Sequence, residues 1–224
     1  MKKRQALHIY LFRHGQTYYN RDKIFTGWKN SKLTPLGIKQ ARKVAQELKN
    51  KKIDVAFQTE LTRSKQTLKE VLRFHPETNE IITANHMIER SYGDLEGTSH
   101  EKFIELIGKK MINLEKQGDA IENLEPEQRK KIARFLGEQE YKIIHRGWDN
   151  PPPNGESFAM VEKRVRIFIK DLIKFMKKEK VNVAISAHGN SIRLFRKIWE
   201  KLSVKQTEEM FVPYDKVFAY RVGV

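Results

Sequence analysis

Two short stretches near opposite ends of the chain carry most of its chemistry: Leu11-Phe12-Arg13-His14-Gly15-Gln16-Thr17 and Ser186-Ala187-His188-Gly189-Asn190-Ser191. Each places a His-Gly pair directly after an aliphatic or β-branched run that reads as a strand. In an α/β sheet, ligands collect at the carboxyl ends of the strands, beside helix N-termini and loops. A glycine after each histidine lets a ligand approach the backbone closely. Two histidines at two strand ends therefore suggest one site. The chemistry they suit is attack on phosphorus, one imidazole acting as nucleophile while Arg13 and the second imidazole hold the phosphoryl charge. Arg-His-Gly alone carries little weight, because three residues recur by chance and most histidines are structural.

The elements that must position these residues alternate. Ala6–Phe12 reads as a buried strand, and Leu33-Thr34-Pro35-Leu36-Gly37 as a helix start. Thr34 is the expected N-cap and Pro35 the first helical residue, with Ala41, Val44, Ala45 and Leu48 on one face. A second strand is expected at Ile53–Gln58, a helix through Arg63 to Arg73, and a third strand at Glu80–Thr83 before a loop from Glu89 to Gly97. From Glu101 to about Ile144 the pattern becomes amphipathic helix, a helical insertion or lid, with Phe103, Ile104, Leu106, Ile107, Met111 and Leu114 on one face. Gly118-Asp119 reads as a break, and Pro126 opens a further helix ending near Gly137. After the rigid Pro151-Pro152-Pro153-Asn154-Gly155 loop, Glu156-Ser157 opens a long helix that turns Phe158, Val161, Val165, Phe168, Ile169, Leu172 and Ile173 to a core. Val181–Ser186 is the strand delivering His188, Asn190–Leu202 a helix, and Val217–Val222 a closing strand. The expected class is α/β: a mostly parallel central sheet with helices on both faces, in one domain over 1–224.

Composition narrows the function classes. At 224 residues the chain can bury a full core. It has no cysteine, which removes disulfides, thiol catalysis and cysteine-bound metal. No apolar run approaches the ~18 residues that would span a bilayer, and no signal-peptide core follows Met1-Lys2-Lys3-Arg4-Gln5; a cytoplasmic protein is expected, with no membrane partner. The net charge of +16 admits nucleic acid, anionic membrane or a small anionic substrate. The lysines lie along helix-like stretches such as Lys39, Arg42, Lys43 and Lys49, where solvated faces account for them, and no nucleic-acid-recognition pattern accompanies them. A small anionic phosphorylated substrate is the preferred partner, and a homo-oligomer is allowed.

The ordered set Arg13-His14-Gly15-Gln16-Thr17-x-x-Asn20, Phe25-Thr26-Gly27-Trp28, Leu33-Thr34-Pro35-Leu36-Gly37, Arg63 within Thr-x-Leu-x-Arg-Ser-x-Gln-Thr, Glu89-Arg90-x-Tyr92-Gly93, Gly155-Glu156-Ser157 and His188-Gly189-Asn190-Ser191-x-Arg193 spans nearly the whole chain. Together these residues resemble the histidine phosphatase superfamily, and within it the cofactor-dependent phosphoglycerate mutases of glycolysis. The resemblance implies that His14 is phosphorylated while Arg13, Arg63 and His188 grip the phosphoryl oxygens. Glu89 would protonate the leaving oxygen and then activate the acceptor. Asn20, Thr26, Gly27, Arg90, Tyr92, Gly189 and Asn190 would line the substrate. His8, His75 and His86 keep a structural or surface reading.

Departures from the mutase pattern bear on the reaction. Counting from Glu89, His100 occupies the position of a substrate-binding lysine, and His145-Arg146 stands where the mutases resembled carry an arginine pair. Weaker anchoring of a bisphosphorylated intermediate favours its escape and hydrolysis. The expectation leans toward a phosphomonoesterase that needs no cofactor, with a mutase using 2,3-bisphosphoglycerate as the alternative. Acidic pH, by charging both imidazoles, is expected to favour isomerisation. The chain calls for no metal, since its histidines lack ligand spacing with carboxylate support. A non-catalytic basic binding protein on this scaffold would have lost one of His14, Arg13, Arg63, Glu89 or His188, and all five are present.

Overall fold

The computed structural model describes the backbone of residues 6–115 and 124–223. In chain order these form β1 (Leu7–Arg13), α1 (Tyr18–Arg21), α2 (Pro35–Leu48), β2 (Val55–Gln58), α3 (Thr62–Leu72) and β3 (Glu80–Thr83). Two single 3-10 turns lead to α4 (His100–Glu115), α5 (Pro126–Arg146), α6 (Phe158–Glu179), β4 (Val183–Ala187), α7 (Gly189–Glu200), α8 (Val204–Glu209) and β5 (Val217–Val222). The helix starts follow side-chain chemistry. Thr34 accepts from the Gly37 N–H at 3.0 Å with Pro35 in the first turn, and Ser157 caps α6 through the Met160 N–H.

The sheet order is β3-β2-β4-β1-β5, with β5 antiparallel to β1 and the remaining pairs parallel. Successive strand residues point to opposite faces, so β1 feeds two cores. Leu7, Ile9 and Leu11 pack with α6 and α7, whereas Tyr10 and Phe12 pack with α2 and α3. The register Arg13↔Ala187 then has a direct consequence for chemistry. The residues that follow, His14 and His188, leave two adjacent strands side by side, with ring centroids 5.0 Å apart. Gly15 and Gly37 allow the loop after β1 to lie against the start of α2. A Cβ at Gly15 would sit 2.1 Å from the Gly37 carbonyl oxygen.

The segment expected to be a helical insertion forms two helices, α4 and α5, that pack with the rest of the chain through Phe25, Tyr92, Phe103, Ile104 and Ile144. Two expectations change here. The second helix does not end near Gly137 but runs on to Arg146. Gly137 serves instead as a contact point: a Cβ there would lie 2.1 Å from the Ile104 carbonyl oxygen, and one at Gly108 2.0 Å from that of Ala133. Leu106, expected on the packed face, is exposed, because the buried stripe follows Phe103, Ile104, Gly108 and Ile112 around the helix. The break at Gly118-Asp119 and the side chain of Leu114 lie outside the described residues. Strand and helix limits elsewhere shift by one or two residues; α1 and α8, too short to show periodicity, had no counterpart in the sequence reading.

Candidate active site

A cavity of about 230 Å³ opens at the carboxyl ends of β1 and β4, under the α4–α5 pair. His14 stands at its floor, buried, with its backbone N–H donating to the Ala187 carbonyl at 3.1 Å. Its Nδ1 lies 2.8 Å from the Gly15 carbonyl oxygen, which can only accept. The ring proton is therefore on Nδ1, and Nε2 keeps its lone pair. Burial first, then the charges of Arg63 and Arg13, hold the His14 pKa well below the usual imidazole range. A neutral, oriented imidazole is what nucleophilic attack needs.

His188, the N-cap residue of α7, is fully buried behind His14. Arg63 Nε donates to its Nδ1 at 3.3 Å, so the proton sits on Nε2, 2.8 Å from Thr59 Oγ1. Burial and then Arg63 depress its pKa as well. Arg63 comes from the first turn of α3, and its two terminal nitrogens donate to the carbonyls of Lys29 (2.9 Å) and Gly27 (2.7 Å). Its burial pulls its pKa down to about 10, still a cation at neutral pH. The reactive atoms of His14, Glu89 and His188 lie within 4.8 Å of one another, near enough to share a metal ion. Both His188 nitrogens are engaged, however, and Arg13 and Arg63 act on both imidazoles, a field suited to an anion.

Glu89 Oε1 accepts from the backbone N–H of Arg90 (2.8 Å) and of Asn190 (3.1 Å), which join the loop before α4 to the start of α7. The Glu89 carbonyl is fixed from the far side by Trp28 Nε1 (2.8 Å) and Arg164 Nη2 (3.0 Å). Arg164 also makes a two-pronged ion pair with Glu156, which sets the Gly155-Glu156-Ser157 motif behind Glu89.

Of the residues expected around the substrate, Asn20, Thr26, Gly27, Tyr92, His100, His145, Arg146, Gly189 and Asn190 line the cavity together with Arg13, His14, Arg63 and Glu89. Arg90 does not. It is fully buried, stacked on Tyr92 and Phe158, and donates to the Ile144 carbonyl, tying α5 to the loop. His100 and His145 sit among Phe25, Tyr92 and Tyr141, their own rings 5.4 Å apart. Burial brings their pKa down to about 4 and about 2, so both are neutral at pH 7. Burial likewise raises Tyr141 to about 12, and its neutral hydroxyl shares a hydrogen bond with His100 Nδ1 at 3.0 Å. His8, His75 and His86 are not among the residues that line this cavity.

Lining residues absent from the sequence reading of the site include Lys23, Arg193, Phe211 and Tyr214. Arg193 had a signal, its place in the His188-Gly189-Asn190-Ser191-x-Arg193 run. Phe211 and Tyr214 had none, lying between α8 and β5 without periodicity. Arg193 donates to Asn190 Oδ1 at 2.6 Å, and burial with the nearby Arg13 and Arg146 charges brings its pKa down to about 10.

A buried, neutral histidine among arginines at the end of an α/β sheet is suited to phosphoryl transfer. The profile of the histidine phosphatase superfamily (branch 1) matches residues 9–133 and 122–221, and the chain belongs to that superfamily. It is an enzyme of phosphoryl transfer, of the phosphatase or mutase kind. A 2,3-bisphosphoglycerate-dependent phosphoglycerate mutase of Parvibaculum lavamentivorans is 34% identical over 88% of this chain and 82% of its own. Among solved structures, an alpha-ribazole phosphatase from Shigella flexneri shares the fold with a TM-score of 0.70 at 22% identity, covering 97% of this chain and 95% of that one. A phosphoglycerate mutase from Bacillus anthracis does so at 0.68 and 18%, over 98% and 90%. Among the described residues no helix is long and apolar enough to cross a membrane.

Proposed function

We propose that the enzyme hydrolyses small phosphomonoesters through phospho-His14. The observation that carries the chemistry is the Nδ1–H contact to the Gly15 carbonyl, which leaves Nε2 of a neutral ring free for attack. Arg13 and Arg63 take up charge on the transferring group, His188 is held behind His14 by Arg63 and Thr59, and Glu89, with one carboxylate oxygen held by two backbone N–H groups, delivers and then removes the proton. His100 and His145 support the hydrolytic outcome: neutral rings anchor an anionic acceptor less firmly than permanent cations, and water competes for the phosphoenzyme. This reading needs no metal and no organic cofactor, and it places the reaction in the cytoplasm, where small phosphorylated metabolites are made.

The second reading is the mutase, primed by 2,3-bisphosphoglycerate. Arg146, Arg193 and Lys23 favour it, being cations on the cavity wall beyond the phosphoryl group. One experiment separates the two: 3-phosphoglycerate is supplied with and without 2,3-bisphosphoglycerate, and 2-phosphoglycerate and free phosphate are followed separately. Hydrolysis predicts phosphate release that does not depend on the bisphosphate. Efficient isomerisation with negligible phosphate would establish the mutase. In either case His14→Ala abolishes turnover and the acid-labile phosphoenzyme, and a fully active variant would remove His14 from its role.

A further inference from the structure

Residues 208–214, at the end of α8 and beyond it, collect three of the four guanidinium groups that line the cavity. Arg146 donates from Nη1 to the Glu208 carbonyl (3.1 Å), Arg193 from Nε to that of Met210 (2.7 Å), and Arg13 from Nη1 to that of Val212 (2.9 Å). The three arginines come from α5, α7 and β1, so one segment touches the lid, the helix after His188 and the strand before His14. Val212 is fully buried, and Pro213 after it restricts the backbone on both sides.

Tyr214 follows. Its ring lies 3.9 Å from the Arg13 guanidinium carbon and 6.4 Å, centroid to centroid, from the His14 ring, on the cavity wall. Arg13 makes no ion pair with a carboxylate among the described residues, and its buried Nε has no hydrogen-bond partner there. A carboxylate partner would fix the side chain but cancel the charge that a phosphoryl group needs. A peptide carbonyl and the face of a ring hold a guanidinium without neutralising it.

We propose that Tyr214 is a positioning residue for phosphoryl transfer: its ring face, with the Val212 carbonyl, holds Arg13 against the phosphoryl group on His14 and leaves its charge free. The inference rests on the reading of Arg13 as a phosphoryl ligand. The ring, not the hydroxyl, carries the effect.

The test is calorimetric binding of inorganic phosphate to the full chain, beside steady-state kinetics on a phosphomonoester. Tyr214→Leu, which keeps bulk but has no ring face, is expected to weaken phosphate binding and lower kcat each by about tenfold, the scale of a desolvated cation–π contact. Tyr214→Phe is expected to stay within about threefold of the parent in both. In an Arg13→Lys background, Tyr214→Leu should add little, because the partner that it orients is already gone. Parent-like phosphate affinity in a folded Tyr214→Leu would overturn the proposal. So would an equal loss in Tyr214→Phe, or a loss undiminished in the Arg13→Lys background. A parent that binds no phosphate at all would instead overturn the reading of the site itself.

Discussion

At the scale of single residues, the site depends on burial deciding protonation. His14 and His188 are surrounded by positive charge and shielded from water, so both stay neutral where an exposed imidazole would begin to titrate. Glu89 is placed differently, its Oε1 held by two backbone N–H groups. If it is the proton donor, Glu89→Gln should slow substrates with poor leaving groups by on the order of 100-fold and activated aryl phosphates far less. Equal losses on alkyl and aryl phosphates would assign Glu89 a structural role. At the other end of the cavity, His100→Lys with His145→Arg is expected to raise the ratio of 2-phosphoglycerate formed to phosphate released, measured from 3-phosphoglycerate. The acid-favoured isomerisation expected from the sequence is corrected by the structure. With pKa values near 4 and near 2, neither ring gains appreciable charge between pH 7 and 5, and the product ratio should stay flat across that interval. A rise on acidification would mean that both rings are better solvated than their packing against Phe25 and Tyr141 implies.

At the scale of elements, the α4–α5 pair brings His100, His145 and Arg146 to the cavity wall with Tyr141 packed against both imidazoles, and its spacing depends on glycine. An added Cβ at Gly137 meets the Ile104 carbonyl, a backbone atom that cannot rotate away. Gly137→Ala should therefore destabilise the fold by ~1–3 kcal/mol, as overpacking does, and raise KM more than it lowers kcat. Unchanged urea melting and KM would show that the helices slide apart freely. The same pair marks the limit of what the sequence discloses. Thr34 with Pro35 gave the start of α2, and the periods of two and 3.6 gave the sheet and its flanking helices. His14 and His188 followed from strands that end in His-Gly. Gly137 looked like a stop because glycine's cost in a helix is local, whereas the contact that offsets it lies on α4, far along the chain. Tyr214 and Phe211 were invisible for a related reason: their segment has no period, and only the tertiary fold brings it against Arg13. Arg90 shows the converse. It stands in the motif, yet packing turns it to α5 and away from the cavity.

At the scale of the whole molecule, an arginine-lined cavity is set in a strongly basic protein, and the buried histidines make stability depend on pH. His14, His100, His145 and His188 all have folded pKa values below the ordinary imidazole value. In the unfolded chain each regains a pKa near 6.5. Below that pH the unfolded state binds protons that the folded state refuses, so stability is complete above about pH 6.5 and falls as the pH drops toward 4. The surface adds to this, since a net charge of +16 grows further as carboxylates protonate. Melting temperature should therefore decline steeply between pH 7 and 5, and potentiometry should show proton uptake on unfolding at pH 5. Replacing one of the four with a neutral isostere isolates its share. His145→Gln, at the ring held near 2, should reduce the slope by about one proton, about 1.4 kcal/mol per pH unit. A slope identical to the parent's would mean that His145 titrates in the fold as it does in the unfolded chain, so that its ring gains charge below about pH 6.5 and is not held neutral by burial.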